Sequence, residues 1–196
     1  MAIADILLNF PLKKNHFLYL DWLIIRELYI NLYLEDYYHP YFVMTDHLNL
    51  PSYDIKTRNA DGMLQIFDIL RKRYVKLTPE EWVRQHFVHF LKDCHGYPAA
   101  LMANEVAVSL NGMSRRCDTV VYSRDGLKPL MIVEYKAPEI NISQKVFNQI
   151  CRYNMVLEVE YLIVSNGLKH YCCRVNPRDG SYQFMPNVPS YEEMAQ

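Results

Sequence analysis

The chain has 196 residues, 51% of them hydrophobic and 22% charged, which suits one ordinary globular domain, or one domain with an appendage, around a sizeable core. Five cysteines in no metal or disulfide spacing exclude a disulfide scaffold. With no secretory leader and no apolar run of bilayer length, a reduced, cytoplasmic setting away from membranes is expected.

The net charge of −1 conceals an asymmetry. Residues 1–54 carry three Lys/Arg against seven Asp/Glu, and residues 55–196 carry eighteen against fifteen. A mild positive excess over the second part permits a local basic groove and modest nonspecific DNA affinity. Residues 1–43 are rich in Leu, Ile, Tyr, Phe, Asn and Lys, lack Gly and show no clear period. The apolar stretch Phe17–Leu34 is interrupted by Asp21, Arg26 and Glu27, which argues against a membrane span. Residue types of this set are those of AT-rich codons. Two readings of 1–43 stay open: translated upstream DNA before a true start at Met44, or a genuine helical appendage.

The ordered pattern begins at Met44, and residues 44–196 read as the domain proper. Leu64–Ile69 is a short strand or the start of a helix, followed by the surface basic cluster Arg71-Lys72-Arg73. Thr78-Pro79-Glu80-Glu81 predicts a helix start, with Thr78 as N-cap, Pro79 in the first position and Glu81 placed to close a capping box. That helix is expected to run to about Lys92, with Trp82, Val83, Phe87, Phe90 and Leu91 on its apolar side. Three strands follow: Glu105–Leu110 and Cys117–Tyr122 around Asn111-Gly112, then Leu130–Lys136 after Asp125-Gly126. Asn-Gly and Asp-Gly between apolar runs are hairpin signals. Ser143–Val156 is expected to be a helix, Tyr161–Val164 a strand buried on both faces, and His170–Val175 a last strand after Asn166-Gly167. The tail beyond Pro177, with Pro186 and Pro189, reads as irregular.

The chemistry lies on the middle strands. Asp118 stands near the start of one, and Glu134 and Lys136 stand two apart at the end of the next, on one face. Two carboxylates supply hard oxygen ligands for Mg²⁺, with Mn²⁺ as a substitute, and the Tyr135 carbonyl adds a third. Such an ion activates water and steadies charge on a phosphoryl oxygen, while Lys136 holds the attacking water or the transition state. The bland alternative is a Glu–Lys ion pair on an exposed strand end.

Asp118 followed by Glu134-Tyr135-Lys136 resembles the PD-(D/E)XK nuclease signature, with Cys117 where proline often stands. Gln149 and Tyr153 form a Q-x-x-x-Y that resembles an extra motif of the RecB-like and type I restriction branch. The strings IFDILRKRYVKLTPEEWVRQHFVHFL, RRCDTVVY and LMIVEYKAP are similar to the N-terminal domain of type I restriction enzyme R subunits, over roughly Leu48 to Val188. The resemblance implies an α/β restriction-endonuclease-like core (helix, three antiparallel strands, helix, two strands, in a mixed central sheet), a divalent metal and hydrolysis of DNA phosphodiester bonds. The chain has no G-x-x-x-x-G-K-[ST] pattern, so a stand-alone nuclease domain or a fragment is expected and ATP-coupled translocation is not carried over.

Around that cluster, Gln149 and Tyr153 share a helix face at i,i+4, where they position DNA, support the metal site, or form a hydrogen-bonded pair at the core edge. Arg115 and Arg116 beside the hairpin turn suit phosphate contact, or else a solvated turn. The resemblance also offers Glu81 as a further metal ligand, in competition with its capping role. His170 with Cys172 and Cys173 does not suit zinc, because adjacent strand residues face opposite ways. The expected function is a Mg²⁺-dependent endodeoxyribonuclease acting on DNA. The alternatives are a non-catalytic DNA- or protein-binding module, and a subunit active only when docked on a motor or restriction-modification subunit encoded elsewhere. Pairing of two domains as a homodimer is compatible with cutting both strands.

Overall fold

The computed structural model describes residues 47–195 apart from 111, 112, 126, 144, 145, 148, 149, 152, 153, 155, 156 and 177, and only the backbone of Leu110, Met113 and Arg115. The expected extension over residues 1–43 lies outside the described residues.

A small antiparallel sheet comes first, made of β1 (Thr57–Ala60), β2 (Met63–Asp68) and β3 (Arg73–Lys76) in that order. The strand alternative for Leu64–Ile69 is therefore the right one. Its hairpin partner β1 was unforeseen, although Asp61-Gly62 signals it. Both loop residues have positive φ, 53° and 78°, the type I′ geometry that matches strand twist.

Helix α1 (Pro79–His95) starts where the pattern predicts. The Thr78 side chain accepts from the Glu81 N–H at 3.1 Å, and Pro79 opens the first turn. The reciprocal half of the expected capping box does not form, because the Glu81 carboxylate is held elsewhere by Arg71, Arg84 and Gln85. Three charge-assisted donors outcompete one cap N–H. Gly96, in left-handed backbone at φ 70°, ends the helix.

The main sheet has six strands in sequential order: β4 (Met102–Leu110), β5 (Met113–Tyr122), β6 (Pro129–Tyr135), β7 (Tyr161–Ser165), β8 (His170–Val175) and β9 (Tyr182–Met185). All neighbours are antiparallel except β6 and β7, which are parallel. That parallel pair needs a crossover, and the described residues between 146 and 157 are helical. The strand alternation distributes the core over two sheet faces. Val121, Met131, Val133, Tyr135, Ile163 and Cys172 pack with Val83, Phe87 and Leu91 of α1. Val120, Ile132, Leu162, Val164 and Cys173 pack with Val146, Phe147 and Ile150 of the crossover. A mixed sheet between two helical layers results. Cys172 and Cys173 indeed enter opposite cores.

The tail is more regular than its prolines suggested. β9 pairs with β8, and a short helix α2 (Tyr191–Met194) follows a complete capping box between Ser190 and Glu193. Tyr191 is buried against Tyr97, whose hydroxyl donates to the Pro189 carbonyl at 2.9 Å. Among the described residues, no helix is long and apolar enough to cross a membrane.

Candidate metal-dependent active site

The site forms where three neighbouring strands stop pairing evenly. In the β4–β5 ladder Asn104 opposes Thr119 and Val106 opposes Cys117, but Glu105 and Asp118 between them are skipped. Glu105 stands at φ 58°, an uncommon backbone for a residue with a side chain and one that functional sites collect. In the β5–β6 ladder the last pair is Thr119 with Val133, so Asp118 and Glu134 face each other one step beyond it.

Asp118 is held at both oxygens. Oδ2 accepts from the Tyr135 main-chain N–H at 2.8 Å, and Oδ1 accepts from Arg84 Nη2 at 2.8 Å. Arg84 comes from α1 with only 7% of its side chain exposed. Its Nη2 also reaches Glu105 at 2.8 Å, and its Nη1 reaches Glu81 at 2.7 Å. Burial opposes the guanidinium charge, but Asp118, Glu81 and Glu105 together raise its proton affinity above the ordinary arginine value. A buried cation on an apolar helix stripe requires such partners.

Glu134 is 4% exposed. Burial, and then the Asp118 charge, push its carboxyl up to about 7, against the pull of Lys136. Lys136 Nζ donates to Glu134 Oε1 at 2.8 Å. Burial works against the ammonium, yet that bond and the Glu134 charge raise its proton affinity overall. Asp118, Glu134 and Lys136, eighteen residues apart at most, thus converge in space.

The Tyr135 carbonyl points the same way. The Lys136 N–H donates to Ser165 of β7 at 2.9 Å, and there are no cis peptides among the described residues. In a trans peptide the preceding C=O points opposite to that N–H, so the Tyr135 carbonyl faces the β5 side, beside Asp118. Two carboxylates and a carbonyl therefore offer a hard-oxygen donor set of the kind Mg²⁺ takes. The upward shift of the Glu134 carboxyl comes first from its burial and then from the Asp118 carboxylate it faces. Among the described residues, no three His, Cys, Asp or Glu side chains are grouped to hold an ion, so the carbonyl and water must complete any coordination.

The remaining candidate residues divide clearly. Glu81 is buried, its oxygens engaged by Arg71 at 3.0 and 3.2 Å, Gln85 at 2.8 Å and Arg84. Its neighbour Glu80 is exposed and lies within the electrostatic field of Lys136 and Asp118, its carboxyl raised by partial burial with Lys136 opposing. Arg116 is 71% exposed and stands 3.7 Å from Glu105. The Arg115 side chain, Gln149 and Tyr153 lie outside the described residues. His170 is tied by both ring nitrogens, to Ser165 Oγ at 2.8 Å and the Asn49 carbonyl at 2.9 Å.

Sequence reasoning missed Arg84, Glu105 and the network behind them. Asp68 is wholly buried and binds Arg71, the Leu70 N–H at 2.8 Å and Asn104 at 2.9 Å. Asn104 accepts from Thr119 at 2.6 Å, and Thr119 accepts from the Tyr135 hydroxyl at 3.1 Å. One signal was available: Arg84 occupies the stripe of Val88 and Leu91 at i,i+4 and i,i+7, where a charge needs a buried partner.

The profile of the family described as "Type I restriction enzyme R protein N terminus (HSDR_N)" matches residues 79–189, more than half of the chain. The chain belongs to this family. The HSDR_N match contains all of α1, Asp118, Glu134 and Lys136, and leaves out the β1–β3 sheet. No curated protein matches the chain. Two solved structures are similar. One is a fragment assigned as an HsdR subunit of a type I restriction enzyme from Vibrio vulnificus YJ016, at 17% identity and TM-score 0.44, covering 59% of this chain and 24% of that one. The chain thus spans about a quarter of the length of that fragment. The other, from Anabaena variabilis ATCC 29413, is assigned as a nuclease belonging to DUF820, at 11% identity and TM-score 0.41, covering 74% and 87%.

Proposed function

We propose that this HSDR_N member is a divalent-metal-dependent endonuclease domain that hydrolyses DNA phosphodiester bonds. The observation that carries the reading is the convergence of Asp118, in the middle of β5, with Glu134, the Tyr135 carbonyl and Lys136 at the end of β6. Asp118, Glu134 and the Tyr135 carbonyl would hold Mg²⁺ or Mn²⁺. When bound, the ion supplies Lewis acidity and positive charge against a phosphoryl oxygen. Arg84 fixes Asp118 from behind and keeps the carboxylate aimed. Lys136, bonded to Glu134 at the edge of the cluster, would donate to the attacking water or to the phosphoryl oxygen gaining charge. Glu80, in the first turn of α1 and within the electrostatic field of Lys136 and Asp118, is an exposed acid able to take a proton from that water.

DNA is the proposed substrate, with restriction-modification subunits and a second copy of the chain as proposed partners. The test is cleavage of linear, circular and single-stranded DNA with and without Mg²⁺, run beside calorimetry of Mn²⁺ binding. Metal-dependent cleavage lost in Glu134→Gln is expected. Absence of both cleavage and Mn²⁺ binding in the wild type would refute the reading.

A further inference from the structure

The β1–β3 sheet lies outside the matched family region, and its two faces differ in chemistry. Ile66 and Asp68 of β2 are fully buried. Their neighbours Gln65 and Phe67 point the other way by strand alternation and are only half-buried. The register places Arg58 and Lys76 beside Gln65, and Tyr74 beside Phe67. Continued by one residue, it places Lys56, whose carbonyl accepts from the Phe67 N–H at 2.8 Å, on the same row. The outer face therefore presents Lys56, Arg58 and Lys76 around Gln65, Phe67 and Tyr74. Exposed Lys72 adds a further cation at the β2–β3 turn.

Residues 55–76 hold six Lys/Arg and two Asp/Glu, in a chain whose net charge is −1. One of the two acids, Asp68, is buried and neutralised by Arg71. Among the described residues, Lys56, Arg58, Lys72, Arg73 and Lys76 have no carboxylate partner within ion-pair distance. Arg58 is moreover held in place: it lies 4.0 Å over the Tyr74 ring, and its Nε donates to Gln65 at 2.8 Å. That leaves the terminal nitrogens of the guanidinium to face outward, as a planar fork suited to phosphate oxygens. Tyr74 in turn meets Phe67 edge-on at 5.2 Å.

The inner side of the same sheet is bonded to the candidate site. Asp68 binds Arg71, Arg71 binds Glu81, Glu81 binds Arg84, and Arg84 binds Asp118. The sheet that carries the outer face is thereby tied to the carboxylate cluster through four successive ion pairs. Uncompensated cations interleaved with aromatic rings on a sheet are complementary to a phosphodiester backbone with accessible bases. We infer that the outer face of β1–β3 is a DNA-backbone-binding surface that delivers a strand to the Asp118–Glu134–Lys136 site, an inference that rests on the nuclease reading for its destination.

The test is fluorescence anisotropy of the full chain, in EDTA so that no cleavage occurs, with fluorescein-labelled single-stranded and duplex DNA across a salt series. Arg58→Gln with Lys76→Gln is expected to weaken binding about tenfold at low salt. It should also lower the slope of log K against log salt by roughly 1.4 on single strands or 1.8 on duplex, two contacts' worth. The arm showing the larger loss identifies the form of DNA the face takes. Lys169→Gln with Arg178→Gln, two exposed cations elsewhere, should leave both quantities unchanged. If the first pair perturbs folding, Lys56→Gln with Lys72→Gln carries the same expectation. Unchanged affinity and slope in the β1–β3 variants, or an equal loss in the Lys169/Arg178 control, overturns the inference. Cleavage by the wild type in Mg²⁺ is scored separately: if it persists while the binding expectation fails, only the surface is refuted. If cleavage and Mn²⁺ binding are both absent while the slope falls as expected, the surface stands and the nuclease reading falls.

Discussion

Replacing Glu134 by glutamine is expected to stabilise the metal-free protein, and only on the alkaline side. Glu134 is 4% exposed and faces Asp118, so its ionised form is costly in the folded state. A carboxyl moved from 4.5 to about 7 is destabilising by about 3 kcal/mol once ionised. Between those values the folded chain keeps a proton that the unfolded chain has lost. The contribution of Glu134 to stability is therefore most favourable below about pH 4.5, falls as pH rises through about 7, and stays lowered above it. Glutamine is neutral throughout and mimics the protonated acid. The variant should match the wild type near the acid end of the window and exceed it at pH 8 by roughly 6 to 12 °C in Tm, given about 2–4 °C per kcal/mol for a chain of this size. The assay is thermal unfolding in EDTA, followed by circular dichroism, at pH 5 and pH 8. Mn²⁺ added at pH 8 should then raise the wild type and leave the variant unmoved, since only a native carboxylate site binds it. A stability difference independent of pH, or a variant less stable at pH 8, would refute the assignment of Glu134 as a buried acid whose proton affinity is raised by folding.

Arg84→Met strands Glu81, Glu105 and Asp118 without their shared cation, and should cost about 3–5 kcal/mol, read by urea unfolding at neutral pH; a loss under 1 kcal/mol would show the ion network to be dispensable. Lys136→Ala should abolish cleavage while retaining Mn²⁺ binding by calorimetry, whereas Asp118→Asn should lose both, because only the second removes a ligand. Unchanged Mn²⁺ affinity in Asp118→Asn would sink the ligand set. Gly167→Ala meets two obstacles, a backbone at φ 81° and a Cβ only 2.7 Å from Leu48 Cδ2. It should lower stability by about 1–2 kcal/mol in the same unfolding assay, with Mn²⁺ binding preserved.

Local pattern was enough for much of this protein. The Thr78-Pro79 start of α1 depends on cap chemistry within a few residues and holds in the structure, while the helix runs three residues past the expected Lys92 to His95, where left-handed Gly96 ends it. The strand identities of β5, β6, β7 and β8 followed from alternation or unbroken apolar runs, since a side-chain period of two shows directly in the letters. Asp118, Glu134 and Lys136 were singled out because a hairpin brings near neighbours in sequence together. The tail and the first hairpin were misjudged although their signals were present: Ser190 to Glu193 is a capping box, and Asp61-Gly62 a type I′ turn.

Tertiary structure decided what no local window contains. Arg84 meets Asp118 across 34 positions, and Asn104 meets Asp68 across 36. An ion pair at that separation leaves no periodic trace, because it depends on where two elements come to rest. The same holds for Glu80 and Glu81, adjacent acids on one helix turn. A rotation of about 100° per residue sends Glu81 into the Arg71–Gln85–Arg84 cage and leaves Glu80 exposed within the electrostatic field of Lys136. The skipped Glu105–Asp118 pair is likewise a property of the ladder, created when two carboxylates leave it to share one buried guanidinium. Sequence alone determined which residues carry charge and how each element is patterned; packing determined which charges meet, because Coulomb attraction and desolvation act through space rather than along the chain.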